Sequence, residues 1–190
     1  MLALTQTPAE IWIGTNRGLL FATETGAVTR VGDATSPVLS LFALRDSVVV
    51  GTANGLRFVP VASPDLVVPA DVAAEPALSS AIVAITRYMD TLVVATPERI
   101  AWKGPRGPWV VERVLTELGG LRALAPERGG VWVGGERGIG YFRFNGRSFT
   151  MFTSPEDLPG PVTRLANVGP YLWVGTERGL VRFAKRALLP

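Results

Sequence analysis

Arg17, Asn54, Glu98, Arg137 and Arg178 recur along this chain at intervals of 37, 44, 39 and 41 residues. Three arginines carried to one rim of a fold could take a carboxylate, a phosphate or an acidic protein surface through bidentate hydrogen bonds. The alternative for each is a neighbouring acid, such as Glu136 or Glu177, or plain solvation. The rest of the sequence offers little chemistry. It has no histidine and no cysteine, which removes the usual general base, the usual zinc ligand, every His-dependent triad and all thiolate or disulfide chemistry. Glu10, Asp46, Asp90 and Glu127 fall in turns after apolar strands, where turn formation and solubility are ordinary work for an acid. No clustered Asp motif of a calcium site is present, so no metal is expected. Lys103 and Lys185 lack the context of a Ser–Lys pair. No glycine-rich phosphate loop exists, and the glycines follow a different period. The sequence therefore assigns no catalytic residue and no cofactor.

The elements that would position those five side chains are read from a repeat. Anchored on Gly14, Gly51, Ala95, Gly134 and Gly175, five copies align with a period near 40 residues, in the range of propeller blades. Two positions before the anchor stand Trp12, Val49, Val93, Trp132 and Trp173. Four positions after it stand Gly18, Gly55, Arg99, Gly138 and Gly179. The first strands, such as VLSLFAL and AIVAITRYM, are nearly continuous in apolar residues, the pattern of a strand buried on both faces. The fourth copy divides into strands over Leu121–Ala125, Val131–Gly134, Gly140–Phe144 and Ser148–Thr153, with Asn145-Gly146 as a hairpin turn. Phe142, Phe144, Phe149 and Phe152 alternate as cross-strand pairs do.

These features predict an all-β fold, a five-bladed β-propeller of four-stranded antiparallel blades in one domain. The blades span about 1–33, 34–72, 73–117, 118–157 and 158–190. A surface connector is expected over Pro69–Pro76. The last blade has room for three strands, with at most a stub of a fourth in Arg186–Pro190. Its third strand, Leu180–Ala184, would then be an edge able to pair with another chain. Trp12, Trp132 and Trp173 are expected between blades, with an aromatic ligand platform as the alternative. Gly14, Gly51, Gly134 and Gly175 permit close approach of neighbouring blades. Gly18, Gly55, Gly138 and Gly179 close type I turns with a positive φ. At Arg99, in TPERI, either strain or a different turn set by Pro97 is expected.

IWIGTNRGL (11–19), VWVGGERGI (131–139) and LWVGTERGL (172–180) follow the pattern [LIV]-W-[IV]-G-T-x-x-G-[LI], with Gly135 for the Thr in the second of them, preceded by a V-x-x-L strand. This unit resembles the two-component-regulator propeller repeat of bacterial proteins, found in extracytoplasmic sensor parts of hybrid histidine kinases. The resemblance covers essentially the whole chain and is weakest in the third copy. It implies a propeller fold and leaves the ligand open.

Composition bounds the function. The formal charge is +3, with 17 arginines and two lysines but no basic run, so a solvated mixed-charge surface is expected and no nucleic-acid partner. No apolar run is long enough for a membrane span. The N-terminal MLALTQTPAEIWIG lacks the marks of a leader, which points to the cytoplasm. The reading is a non-enzymatic binding or scaffolding module for another protein, monomeric or dimeric through the last-blade edge. The alternative is a small-ligand or glycan-binding propeller of sensor type.

Overall fold

The computed structural model describes residues 2–32, 36–69, 76–113, 116–145, 148–151 and 157–188. Residues 70–75 of the expected connector, Gly146 of the hairpin dipeptide, residues 152–153 of the expected fourth strand and the last two residues of the tail stub lie outside them. The chain forms two compact units, residues 1–85 and 86–190.

In the first unit, strands β1 (Ala3–Gln6), β2 (Glu10–Thr15), β3 (Gly18–Thr23) and β4 (Val28–Arg30) make one antiparallel sheet in that order. Strands β5 (Val38–Ala43), β6 (Ser47–Thr52), β7 (Gly55–Pro60) and β8 (Val68–Pro69) make a second, and a 3-10 turn follows at Pro76–Ser79. Strand β9 (Ala84–Tyr88) crosses the boundary between the units. It joins β10 (Thr91–Ala95), β11 (Arg99–Lys103) and β12 (Val110–Arg113) in a third sheet. Strands β13 (Leu121–Glu127), β14 (Gly130–Gly135), β15 (Ile139–Arg143) and β16 (Ser148–Met151) make the fourth. Among the described residues the fifth has three strands, β17 (Val162–Val168), β18 (Tyr171–Thr176) and β19 (Gly179–Ala184), and a 3-10 turn at Lys185–Ala187. The fold is all-β with repeated antiparallel sheets, which fits a propeller.

The most complete burial falls on two second strands, not on first strands. All six residues of β14 are buried, as are five of six in β6. By contrast, β17 alternates half-buried and exposed positions after Val162. A strand in the middle of a sheet, covered on both faces, loses its polar alternation. The first strand lies at a sheet edge and keeps some polar positions.

The seam between successive sheets is built from one apolar residue on one glycine. A Cβ placed on Gly14 would lie 2.6 Å from Val38 Cγ1, and one on Gly51 would lie 2.6 Å from the Ile82 carbonyl oxygen. On Gly134 it would meet the side chain of Val162, with Val162 Cβ at 3.1 Å. Main-chain bonds also stitch seams between sheets: Ile82 N–H donates to Thr52 O at 3.0 Å, and Leu121 N–H to Pro97 O at 2.8 Å.

The last sheet departs from this scheme. The nearest atoms to a Cβ on Gly175 are Thr163 Oγ1 at 3.4 Å and Arg164 Cβ at 3.7 Å, both on its own sheet's β17. Trp12 and Trp132 are fully buried, each against a ring on the adjacent strand: Phe21 at 5.4 Å and Tyr141 at 5.2 Å between centroids. Trp173 is only half-buried, and the matching position on β19 is Arg182, whose guanidinium sits 5.6 Å from the Trp173 ring and 4.3 Å from that of Tyr171. Among the described residues Trp173 is thus less buried than Trp12 and Trp132, and Met1, the first-copy residue in the column of Val38 and Val162, lies outside them.

Two pairs of substitutions check this account. Gly134→Ala is expected to cost roughly 1–3 kcal/mol through overpacking, whereas Gly175→Ala should stay within about 0.5 kcal/mol of the parent. Trp132→Ala is expected to lose roughly 3–5 kcal/mol, and Trp173→Ala less than half of that. Urea unfolding of the four variants measures all of these. Equal losses at Trp132 and Trp173 would contradict the half-buried position of the latter.

Candidate functional site

The hairpins that carry the five recurring polar residues are organised by threonine. Thr15 Oγ1 donates to Gly18 O at 2.8 Å and accepts the Arg17 N–H at 3.0 Å. Thr52 does the same with Gly55 O and the Asn54 N–H, at 2.8 and 3.1 Å. Thr176 repeats it with Gly179 O and the Arg178 N–H, at 2.9 and 3.3 Å. The closing glycines have positive φ, 114° at Gly18, 107° at Gly55 and 149° at Gly179, a region where a Cβ is costly. In TPERI, Thr96 Oγ1 accepts the N–H groups of Glu98 and Arg99 at 3.4 and 3.0 Å. Arg99 carries no positive φ, so a changed turn replaces strain there. Gly138 is also absent from the positive-φ glycines. Gly135 stands in the threonine position, and the Arg137 N–H turns to Leu118 O at 2.9 Å instead. The threonine column was legible in the sequence as Thr15, Thr52, Thr96 and Thr176.

Arg17, Asn54, Glu98, Arg137 and Arg178 are all exposed at these hairpins. Charge is organised by a different residue, Arg122. It is the extra residue of a bulge in the β13–β14 ladder, between the pairs Leu121–Gly135 and Ala123–Gly134, and bulges redirect side chains. Its guanidinium donates to Glu177 Oε1 at 2.8 Å and Glu136 Oε1 at 3.1 Å. Arg122 and the Gly120 amide hold the Glu136 carboxyl below the usual glutamate range. Glu136 and Glu177, the acids beside Arg137 and Arg178 in sequence, are thus held by Arg122.

A second cluster binds the tail turn to the fourth sheet. Glu127 Oε2 accepts from Lys185 Nζ at 2.7 Å and from Asn167 Nδ2 at 3.1 Å, and Oε1 accepts the Arg128 N–H at 2.9 Å. Burial raises the Glu127 pKa, but Lys185, the Arg128 amide and the Trp132 indole together bring it below the ordinary value. Tyr141, with its pKa raised mainly by burial, donates to Arg128 O at 2.7 Å. Every one of these contacts holds backbone or side chains in place, so the cluster is structural.

Among the described residues, a place with room for a ligand lies in the first unit. A cavity of about 420 Å³ opens between the first and second sheets, inside the usual range of small-molecule sites, about 300–1,000 Å³. Leu19, Val38, Val50, Val59, Leu66 and Val67 line it with apolar surface, and Ser36, Thr52, Arg57 and Asp65 line it with polar groups. Arg57 is half-buried, and its guanidinium is steadied by main-chain carbonyls, Nη1 to Leu56 O at 3.0 Å and Nη2 to Asn54 O at 3.3 Å. Asn54 Nδ2 donates to Ser36 Oγ at 3.2 Å. Of the five predicted rim residues, Asn54 touches a cavity-lining side chain, through its bond to Ser36. Arg57 was missed, although a signal existed: the matching positions of the other copies are Leu20, Ala101, Gly140 and Val181.

No protein-family model and no curated protein matches the chain. Among solved structures it is similar to the extracellular domain described as that of the one component system BT4673 from B. thetaiotaomicron. That match has 14 % identity and a TM-score of 0.78, over 95 % of this chain and 27 % of that one. It is similar to the extracellular domain described as that of the hybrid two component system BT3049 of the same organism, with 18 % identity and a TM-score of 0.77 over 97 % and 27 %. It is also similar to virginiamycin B lyase from Staphylococcus aureus, with 15 % identity and a TM-score of 0.75 over 95 % and 64 %. These likenesses show the fold, a propeller-like repeat, and the chain spans about a quarter of the length of the two sensor-system domains. The cytoplasmic expectation is corrected by them, since the sensor-system neighbours are extracellular domains. The missing leader on which that expectation stood carries no weight in a chain spanning so small a part of its neighbours.

The Glu127 cluster has a measurable signature. A carboxyl with a lowered folded pKa contributes stability that is present above its unfolded value and is lost as pH falls through its folded value. The stability difference between the parent and Glu127→Gln should therefore be level above about pH 5 and shrink toward pH 3. Urea midpoints across that range check it. A difference that grew on acidification would reverse the sign of the argument.

Proposed function

We propose that this chain is a non-catalytic ligand-binding module of the extracytoplasmic sensor kind, built from five propeller blades of the two-component-regulator repeat family. It works by taking a small amphiphilic molecule into the cavity between the first and second sheets. The cavity itself carries the reading: apolar walls and polar groups share its lining about equally, so it can house an aliphatic body and orient a polar end. Its hydroxyls argue for binding rather than chemistry. Thr52 is committed to its turn, Ser36 accepts from Asn54, and the chain has no imidazole to activate either. A second reading, an adaptor for another protein, is supported by exposed apolar side chains at Leu180, Val168 and Met89, 65, 58 and 77 % exposed.

A thermal-shift screen of small carboxylates, amines and saccharides against the folded chain tests the first reading. A ligand at a hundred times its Kd should add about 2.7 kcal/mol, a rise of roughly 5–10 °C in Tm for a chain of this size. Leu66, 55 % exposed at the cavity, offers the control: Leu66→Trp should fill the opening and abolish the shift. A screen in which no compound raises Tm, or in which hits survive Leu66→Trp, sinks the cavity reading and leaves the adaptor.

A further inference from the structure

We infer that the cavity selects a zwitterionic amphiphile, a molecule with an ammonium and a carboxylate on an aliphatic body. The inference rests on the cavity reading above and narrows it to one ligand class.

Two opposite charges line the same cavity, Arg57 on β7 and Asp65 in the segment before β8. Among the described residues neither forms an ion pair, with the other or with any third group. Arg57 stands in a column otherwise filled by Leu20, Ala101, Gly140 and Val181. The fold accepts an uncharged residue there, so the guanidinium is not a requirement of blade packing. It is also held ready. Two of its donors are anchored on Leu56 O and Asn54 O, which fixes the fork and leaves its remaining N–H groups for a guest. A carboxylate is the planar partner this fork fits.

Asp65 decides between kinds of anion. A carboxylate on the same cavity wall opposes any guest of net negative charge and favours one that brings its own cation. A phosphate, with its greater charge, is disfavoured by the same argument. Leu19, Val38, Val50, Val59 and Leu66 take the aliphatic body, where removal from water gives about 25 cal/mol per Å². A guest with both charges leaves the lined chamber electrically balanced. One with a carboxylate alone leaves Asp65 uncompensated, and one with an amine alone leaves Arg57 so.

The test is calorimetric titration of the full chain with norleucine, 6-aminohexanoate, hexanoate and hexylamine, which share one chain length and differ in charge. At least one of the two zwitterions is expected to bind about tenfold or more tighter than hexanoate and hexylamine, the ratio of one charge-assisted contact. Asp65→Asn should remove the preference over hexanoate, and Arg57→Gln the preference over hexylamine. Circular dichroism melts of both variants confirm that they fold, and Asp65, being exposed, is the safer substitution. Hexanoate binding as tightly as both zwitterions, unchanged in Asp65→Asn, overturns the zwitterion and leaves the cavity reading standing. Silence from all four probes overturns the zwitterion; if the wider screen is silent too, the cavity reading goes with it.

Discussion

A branched side chain resting on a bare glycine is the contact on which the seams of this fold depend. Val38 on Gly14, Ile82 on Gly51 and Val162 on Gly134 bring successive sheets close together, and beside Gly51 backbone bonds backbone across the gap, from Ile82 N–H to Thr52 O. The contact is apolar and shape-dependent, so a single methyl group on the glycine is as disruptive as a large change elsewhere. Trp12 and Trp132 then fill what the glycines leave open, each stacked with a ring from the next strand of its sheet. The hairpins, the bulge at Arg122 and the cavity wall are all held in place by seams of this type.

Much of this was legible in the residue columns. Short strands, their turns and their antiparallel order follow from alternating apolar triplets and glycines, because those signals are local. Tertiary surroundings are not local, and there the columns misled. LWVGTERGL reads like its two counterparts, yet Trp173 is half-buried, and among the described residues the nearest atoms to Gly175 are those of its own sheet. The identity of a residue says what it can pack against, not whether anything is there. The same limit explains the burial of second strands rather than first. Composition of VLSLFAL and VWVGG is alike, and only position in the sheet separates them.

The polar residues divide along similar lines. Arg17, Arg137 and Arg178 stood out because they recur, and recurrence turned out to mark a turn type. Arg57 stood out less, since it breaks a column rather than making one, and it is the arginine that faces a chamber. Arg122 owes its role to a bulge that no residue pattern announces. In a repeat protein the exceptions to the period therefore carry more functional information than the period does.

The threonine-stapled hairpins have one further consequence. Each turn closes on itself: a hydroxyl, a carbonyl and an amide within four residues satisfy one another without help from the rest of the molecule. Outside the turn's own bonds, Asn54 reaches Ser36 and Glu177 reaches Arg122, and what varies is the pair of residues between threonine and glycine. They are Asn-Arg in the first copy, Ala-Asn in the second and Glu-Arg in the fifth, chemically unlike on an unchanged frame. Such tips are interchangeable mounts, where a surface can be rewritten two residues at a time while the folding of the blade beneath goes on as before.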